Sequence, residues 1–261
     1  MEKDKIKIYL IGFPKSGTSW LIRLMAHVLQ IPIKDQIIGE ELSTEINDRL
    51  DLKSATSFIA KIHHSPDFFF KEIDQYPERV IYIYRDIRAV IISAFFYFKV
   101  PQRYSFLFRL EKDHSKPVFY EILRRLFFPF ARIMLSRQVK KFGEFGLGGK
   151  IGAYKEHRKS WHSVANSSHY RSTPYAFISY EELYENPCSE IEKILNTLEL
   201  PIPSKKWINQ AIQDESFAKM KSRLKSSTNP VEHSILRTGQ KEDWRYYLTE
   251  KNLSDLKQDN I

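Results

Sequence analysis

Residues 12 to 20, GFPKSGTSW, follow the apolar run KIKIYLI and precede an amphipathic stretch. A glycine-bounded loop between a strand and a helix is a ready site for a phosphate-like anion, because backbone N–H groups and the helix dipole both favour negative charge there. The nucleotide-hydrolysing form of such a loop reads G-x-x-x-x-G-K-[ST], with the lysine reaching the transferred phosphates and the hydroxyl holding magnesium. Gly12 and Gly17 keep that glycine spacing, but Thr18 stands at the lysine position and the cation lies upstream at Lys15. The loop reads as built for an anionic group, with its cation placed differently.

Two further strand-like runs end on groups that do chemistry. The run SFIAKIH (57 to 63) carries Lys61 and His63, and RVIYIYR (79 to 85) ends on Arg85. Alternation along a strand puts Lys61 and His63 on one face and His64 on the other. A strand-end His-His pair that caps neighbouring backbone is the structural alternative, and for Arg85 it is a surface ion pair with Asp86. Three strand ends carrying cations and an imidazole point to one shared site.

The elements that must position these groups follow from hydrophobic period. IKIYLIG is short and β-branched, as a buried parallel strand should be. From Trp20 the apolar positions Leu21, Leu24, Met25, Val28 and Leu29 fall on one helical face, so residues 5 to 30 read as strand, loop and helix. A fourth strand is YAFISY (175 to 180), and IRAVIISAFFYF and CSEIEKILNTLEL read as helices. Alternating strands and helices predict an α/β fold with a mostly parallel central sheet flanked by helices, and ligands at the carboxyl ends of its strands. Residues 103 to 150 are rich in Phe, Arg and Lys and read as helical. They are expected either to pack over the sheet, to form a lid on the acceptor side, or to lie on a membrane surface through residues 119 to 145; the lid is preferred.

Composition bounds the rest. A chain of 261 residues with 42% hydrophobic residues can bury one sizeable core, so residues 1 to 261 are expected to form a single domain with 100 to 160 as a helical insertion. A net charge of +9 favours anionic partners without choosing among them. No recognition-helix pattern stands out, and no nucleic acid is expected. The single cysteine, Cys188, cannot form an intrachain disulfide or a multi-cysteine metal site. The charged start MEKDK lacks an apolar signal core, and no window reaches the ~20 apolar residues of a membrane span, so a cytoplasmic protein is expected.

At this point the motifs are similar to those of a family. PKSGTSW resembles the 5′-phosphosulfate loop of the cytosolic sulfotransferases, PKSGTTW. YRDIRAVIISAFFYF resembles the family's 3′-phosphate segment, in which an arginine is followed eight residues later by a serine, here Arg85 and Ser93. KIHHSP resembles K-T-H-L-P, FISYEELYENP resembles Y-E-D-x-x-x-N-P, SFAKMK matches S-F-x-x-M-K, and LRTGQKEDWR is similar to R-K-G-x-x-G-x-W-K. GAYKEHRKSW (152 to 161) is similar to a G-x-x-x-x-H-x-x-x-W stretch near the acceptor site. The resemblance runs in order from about residue 5 to 250.

The resemblance implies a P-loop-like sulfotransferase fold with an inserted helical lid. It also implies transfer of a sulfonate group from 3′-phosphoadenosine 5′-phosphosulfate (PAPS; product PAP) to an acceptor hydroxyl or amine, without a metal. It implies that the 5′-phosphosulfate lies on Lys15, Ser16, Gly17, Thr18 and Ser19, and that Lys15 and Lys61 stabilise the transition state. His63 occupies the position of the general base, a role that suits an imidazole near neutral pH; His64, Glu40 and Glu41 are the alternatives. Arg85, Ser93 and Arg237 match the 3′-phosphate positions, with Thr238 and Gly239 beside them, and Trp20, Tyr180 and Phe217 match the positions that contact adenine.

Departures from the family are Thr238 for its lysine, Glu242 for its second glycine, and His64-Ser65 for its Leu-Pro. Residues 100 to 160 match the familiar relatives poorly, and the expected acceptor is a small apolar or aromatic alcohol, with a glycan as the alternative. Oligomeric state is not legible. A P-loop nucleotide kinase is the rival reading, and Thr18 at the lysine position opposes it.

Overall fold

The computed structural model describes residues 5–34, 57–72, 77–98, 122, 126, 129, 133, 153–167, 173–225, 242 and 244–257. The chain divides into two compact units, Met1–Asp86 with Leu147–Lys219, and Ile87–Gly146 with Met220–Ile261.

The first unit is built on a five-stranded sheet: β1 (Lys7–Ile11), β2 (Ile33–Lys34), β3 (Phe58–Ile62), β4 (Val80–Tyr84) and β5 (Tyr175–Ser179), in the order β2-β3-β1-β4-β5. Every neighbouring pair is parallel. Register aligns the carboxyl ends, with Ile11 opposite Ile62 and Tyr84 opposite Ser179. From β1 the chain first fills one side of the sheet with β2 and β3, then crosses to β4 and β5. The end of β1 is therefore the switch point where a parallel sheet opens a crevice for ligand, and Gly12 follows it directly.

Both sheet faces are covered. On one, Ile8, Leu10, Ile59, Ile81, Ile83 and Ile178 pack against α1 (Thr18–Leu29) and the helices that follow β5. On the other, Tyr9, Ile11, Phe58, Ala60, Ile62 and Tyr82 pack with Phe69 and Trp161. Burial on both faces is why the strands read as unbroken apolar runs. Phe69 comes from α2 (Pro66–Glu72).

The predicted strands are present but shorter. β3 stops at Ile62, so His63 and His64 stand beyond the ladder, and β5 stops at Ser179, whose hydroxyl accepts from the Glu182 amide and starts the next helix at Tyr180. The helix of the strand–loop–helix reading begins at Thr18, directly after Gly17, which is left-handed at φ 99°. The two-residue β2 was not anticipated; a segment of that length carries no period.

The second unit contains α3 (Ile87–Phe98), which matches the predicted IRAVIISAFFYF segment. The Arg88 guanidinium lies 3.9 Å from the ring centre of Trp244, and Phe96 meets Tyr247 edge-on at 5.2 Å. Of the expected lid, the described residues are Ile122, Leu126, Pro129 and Ile133, all helical and exposed. The remainder of 100 to 152 lies outside the described residues, as do Glu40 and Glu41.

Candidate active site

The loop after β1 is tight. Lys15 has φ 75° and Gly17 φ 99°, both in the left-handed region. A Cβ on Gly17 would lie 2.4 Å from Tyr180 Cδ2, and one on Gly12 would lie 2.8 Å from the Ile83 carbonyl oxygen. Glycine is thus required at both positions by close approach, and at Gly17 by backbone conformation as well. The Ser16 amide donates to the Phe13 carbonyl at 3.1 Å, closing the turn. Helix α1 starts with no side-chain cap on Gly17 and no acidic residue in its own first turn, so no carboxylate of that turn offsets its positive end.

Lys61 and His63 join this loop from β3. Lys61 is 2% exposed and donates from Nζ to Ser19 Oγ at 3.2 Å. Burial, then the charge of Arg23, lowers its pKa to about 8. His63 places Nδ1 2.5 Å from the Gly12 carbonyl oxygen. A carbonyl only accepts, so Nδ1 carries the hydrogen and Nε2 keeps the lone pair that can take a proton. Burial first, then Lys61, lowers the His63 pKa to about 3. The expected near-neutral imidazole is therefore replaced by one that is uncharged throughout the physiological range. His64 turns elsewhere, stacking on Phe68 with centroids 5.8 Å apart.

Arg85, at the end of β4, lies over the Tyr180 ring at 4.2 Å and donates from Nη1 to the Lys15 carbonyl at 3.4 Å. It contacts an aromatic face and the anion loop at once. Trp20 meets Tyr180 edge-on at 5.9 Å and Tyr184 at 6.5 Å. Among the described residues, three buried donor atoms here have no hydrogen-bond partner: Trp20 Nε1 and Arg85 Nε on the two side chains against Tyr180, and Ser16 Oγ in the loop. Buried polar atoms without partners are rare in native proteins, and hydroxyl, indole and guanidinium donors together fit an anionic, flat, phosphate-bearing group.

Several supporting residues carried weak signals or none in the sequence. Helix α4 (Tyr154–Asn166) brings Tyr154, whose hydroxyl donates to the Arg85 carbonyl, and His157, 2.9 Å from the Tyr82 hydroxyl. Glu181 accepts from the Asp86 amide at 3.2 Å and from Ser179 Oγ at 3.1 Å, tying the ends of β4 and β5. Only the G-x-x-x-x-H-x-x-x-W likeness pointed to His157; Tyr82 read as an ordinary strand residue.

Of the predicted site residues, Lys15, Ser16, Gly17, Thr18, Ser19, Trp20, Lys61, His63, Arg85 and Tyr180 all lie on the loop, on α1 or at the adjoining strand ends. Phe217 opens the helix Phe217–Lys225, half-buried, and Ser93 lies half-buried on α3 of the second unit. Arg237, Thr238 and Gly239 lie outside the described residues.

The family described as the sulfotransferase domain matches residues 5–259, and the chain belongs to it. This is a family of enzymes. Among curated proteins the chain is similar to sulfotransferase 2B1 of mouse, 23% identical over 93% of this chain and 66% of the relative, so it spans just under two thirds of that protein's length. It is also similar to mouse sulfotransferase 1A1, 24% identical over 93% of this chain and 79% of the relative. Among solved structures, the mouse sulfotransferase SULT7A1 complexed with PAP shares the fold with a TM-score of 0.67 at 18% identity, covering 99% of this chain and 84% of that one.

Proposed function

We propose that this protein transfers a sulfuryl group from 3′-phosphoadenosine 5′-phosphosulfate to the hydroxyl of a small acceptor. The observation that carries the reading is the loop of residues 12–20 with Lys61 and His63 bonded into it, and with Ser16 Oγ, Trp20 Nε1 and Arg85 Nε buried and unpartnered among the described residues. The relative solved with PAP bears a nucleotide of the class these donors suit.

The donor supplies the sulfuryl group and a phosphate leaving group. The loop amides, Ser16, Thr18 and Ser19 bind the anionic end, and the positive end of α1 favours its charge. Lys15 and Lys61 stabilise the negative charge that develops on the bridging oxygen as the S–O bond breaks, which preorganised cations do well in a buried site. By the family resemblance, Arg85, Ser93, Arg237, Thr238 and Gly239 are the residues assigned to the 3′-phosphate, and Trp20, Tyr180 and Phe217 those assigned to the base. His63 Nε2 accepts the proton of the attacking hydroxyl. Its low pKa in the nucleotide-free protein keeps it unprotonated, and an anion entering beside it raises that pKa toward the working range.

The many phenylalanines of residues 95 to 130 suit an apolar or aromatic alcohol as acceptor. A cytoplasmic setting, which a single unpaired cysteine accommodates, belongs to the same reading.

Thermal unfolding tests the reading. PAP at a hundred times its dissociation constant should add about 2.7 kcal/mol to stability without any metal, and 5′-ADP far less at the same concentration. A shift with magnesium ATP alone would remove this reading in favour of a kinase.

A further inference from the structure

Tyr154, His157 and Trp161 lie three and four residues apart on α4 and share one face. Each donates to the backbone at a strand end. Tyr154 reaches the Arg85 carbonyl, His157 Nε2 lies 3.1 Å from the carbonyl oxygens of both His63 and His64, and Trp161 Nε1 donates to the His64 carbonyl at 3.0 Å. Because carbonyls only accept, Nε2 of His157 carries the hydrogen. Its Nδ1 then accepts from the Tyr82 hydroxyl at 2.9 Å, which sets the tilt of the ring. His157 and Trp161 are 1% and 0% exposed.

These bonds fall where β3 has ended, so the His63 and His64 peptides lie outside the strand. His63 is thus held at two points, its backbone by His157 and its ring by Gly12. The same face touches the anion loop, since Phe13 meets Tyr154 at 5.2 Å and His157 at 5.7 Å. Removing the donors on α4 leaves two buried carbonyls short of partners, and the peptide will turn to find others. Any such turn carries the imidazole with it.

We propose that His157 and Trp161 are positioning residues that set the orientation and tautomer of the His63 imidazole through its backbone, separately from nucleotide binding. The proposal rests on the reading of His63 as the base. Neither residue is catalytic in this scheme.

The test compares wild-type full-length protein with His157→Phe, which keeps a flat ring without nitrogens, and with Trp161→Phe and Tyr82→Phe, each of which removes one polar atom. His63 is observed by nitrogen-15 NMR in nucleotide-free protein, and binding-competent sites are counted by calorimetric titration with PAP. Wild-type His63 is expected as a single Nδ1–H tautomer. His157→Phe should show a mixture, and turnover on 2-naphthol per PAP-binding site should fall on the order of 10- to 100-fold, the cost of misplacing a reacting group by about an ångström. PAP affinity should stay within about twofold, and His157→Gln, which restores a donor at the end of the side chain, should recover most of the loss. If His157→Phe does not fold, the two milder variants carry the comparison with smaller shifts in the same direction. His63 signals unchanged in the folded variants, or turnover per site within about twofold of wild type whatever the melting temperature, would overturn the proposal. A wild type that binds no PAP would instead remove the proposed function, while the NMR comparison still decides the positioning role.

Discussion

His63 Nδ1 and the Gly12 carbonyl oxygen are 2.5 Å apart, so the imidazole at the end of β3 is fastened to the first residue of the anion loop. The bond leaves Nε2 as the nitrogen with a free lone pair.

Replacing His63 by Ala should lower turnover by about 10²- to 10⁴-fold, the usual contribution of a general base, and leave PAP affinity nearly intact. Single-turnover kinetics and calorimetric titration on the same preparation measure the two quantities. A variant that keeps its turnover would exclude His63 as the base.

Acid should destabilise the protein through its buried imidazoles. His63 and His157 have pKa values lowered from 6.5 to about 3 and about 4, both mainly by burial. Between those values and 6.5 the unfolded chain binds protons that the folded one does not, so stability rises with pH there and is lost as pH falls. Near pH 5 the two together should give a slope of roughly 2–3 kcal/mol per pH unit. Urea unfolding at pH 4.5 to 7 in wild type and His157→Gln reads the slope, which should be about halved in the variant.

Gly17→Ala should damage the loop itself. The new methyl meets Tyr180 at 2.4 Å, and the residue keeps φ 99°. The left-handed backbone costs about 1–2 kcal/mol and the overpacking about 1–3 kcal/mol. A lower melting temperature and a loss of PAP binding are expected together, and normal PAP affinity in the variant would contradict the close packing.

Lys61→Met separates stability from activity. Keeping a charged ammonium at 2% exposure opposes folding at neutral pH, consistent with a pKa lowered from 10.5 to about 8. Methionine of similar length should raise stability on the order of 3 kcal/mol at pH 7. Turnover should drop about 10²-fold as transition-state charge loses a cation. The gain in stability should vanish as pH rises from 8 toward 10.5, where the wild-type lysine folds uncharged.

Arg85→Ala should weaken PAP by about 1.5–3 kcal/mol, the worth of hydrogen bonds to a charged group, and leave 5′-ADP almost unaffected. Arg85→Lys keeps the charge but not the planar face over Tyr180, and should recover only part of the loss. Equal losses for both nucleotides would refute the 3′-phosphate assignment.

Much of this site could be read in order along the chain. The glycine spacing at Gly12 and Gly17, the apolar runs that became β1, β3, β4 and β5, and the placement of Lys61 and Arg85 at strand ends are local properties of period and residue type. What tertiary structure alone decided spans long separations: Lys61 to Ser19 across 42 residues, His63 to Gly12 across 51, and Tyr82 to His157 across 75. Those partners meet because parallel strands need crossover connections, so residues remote in sequence share one sheet edge. The low pKa of His63 was equally out of reach, since burial depends on which elements close over a side chain. Sequence determined which residue types stand on the loop and at the strand ends; the order of the strands and the packing of α4 decided which of them meet and which hydrogen bonds they make.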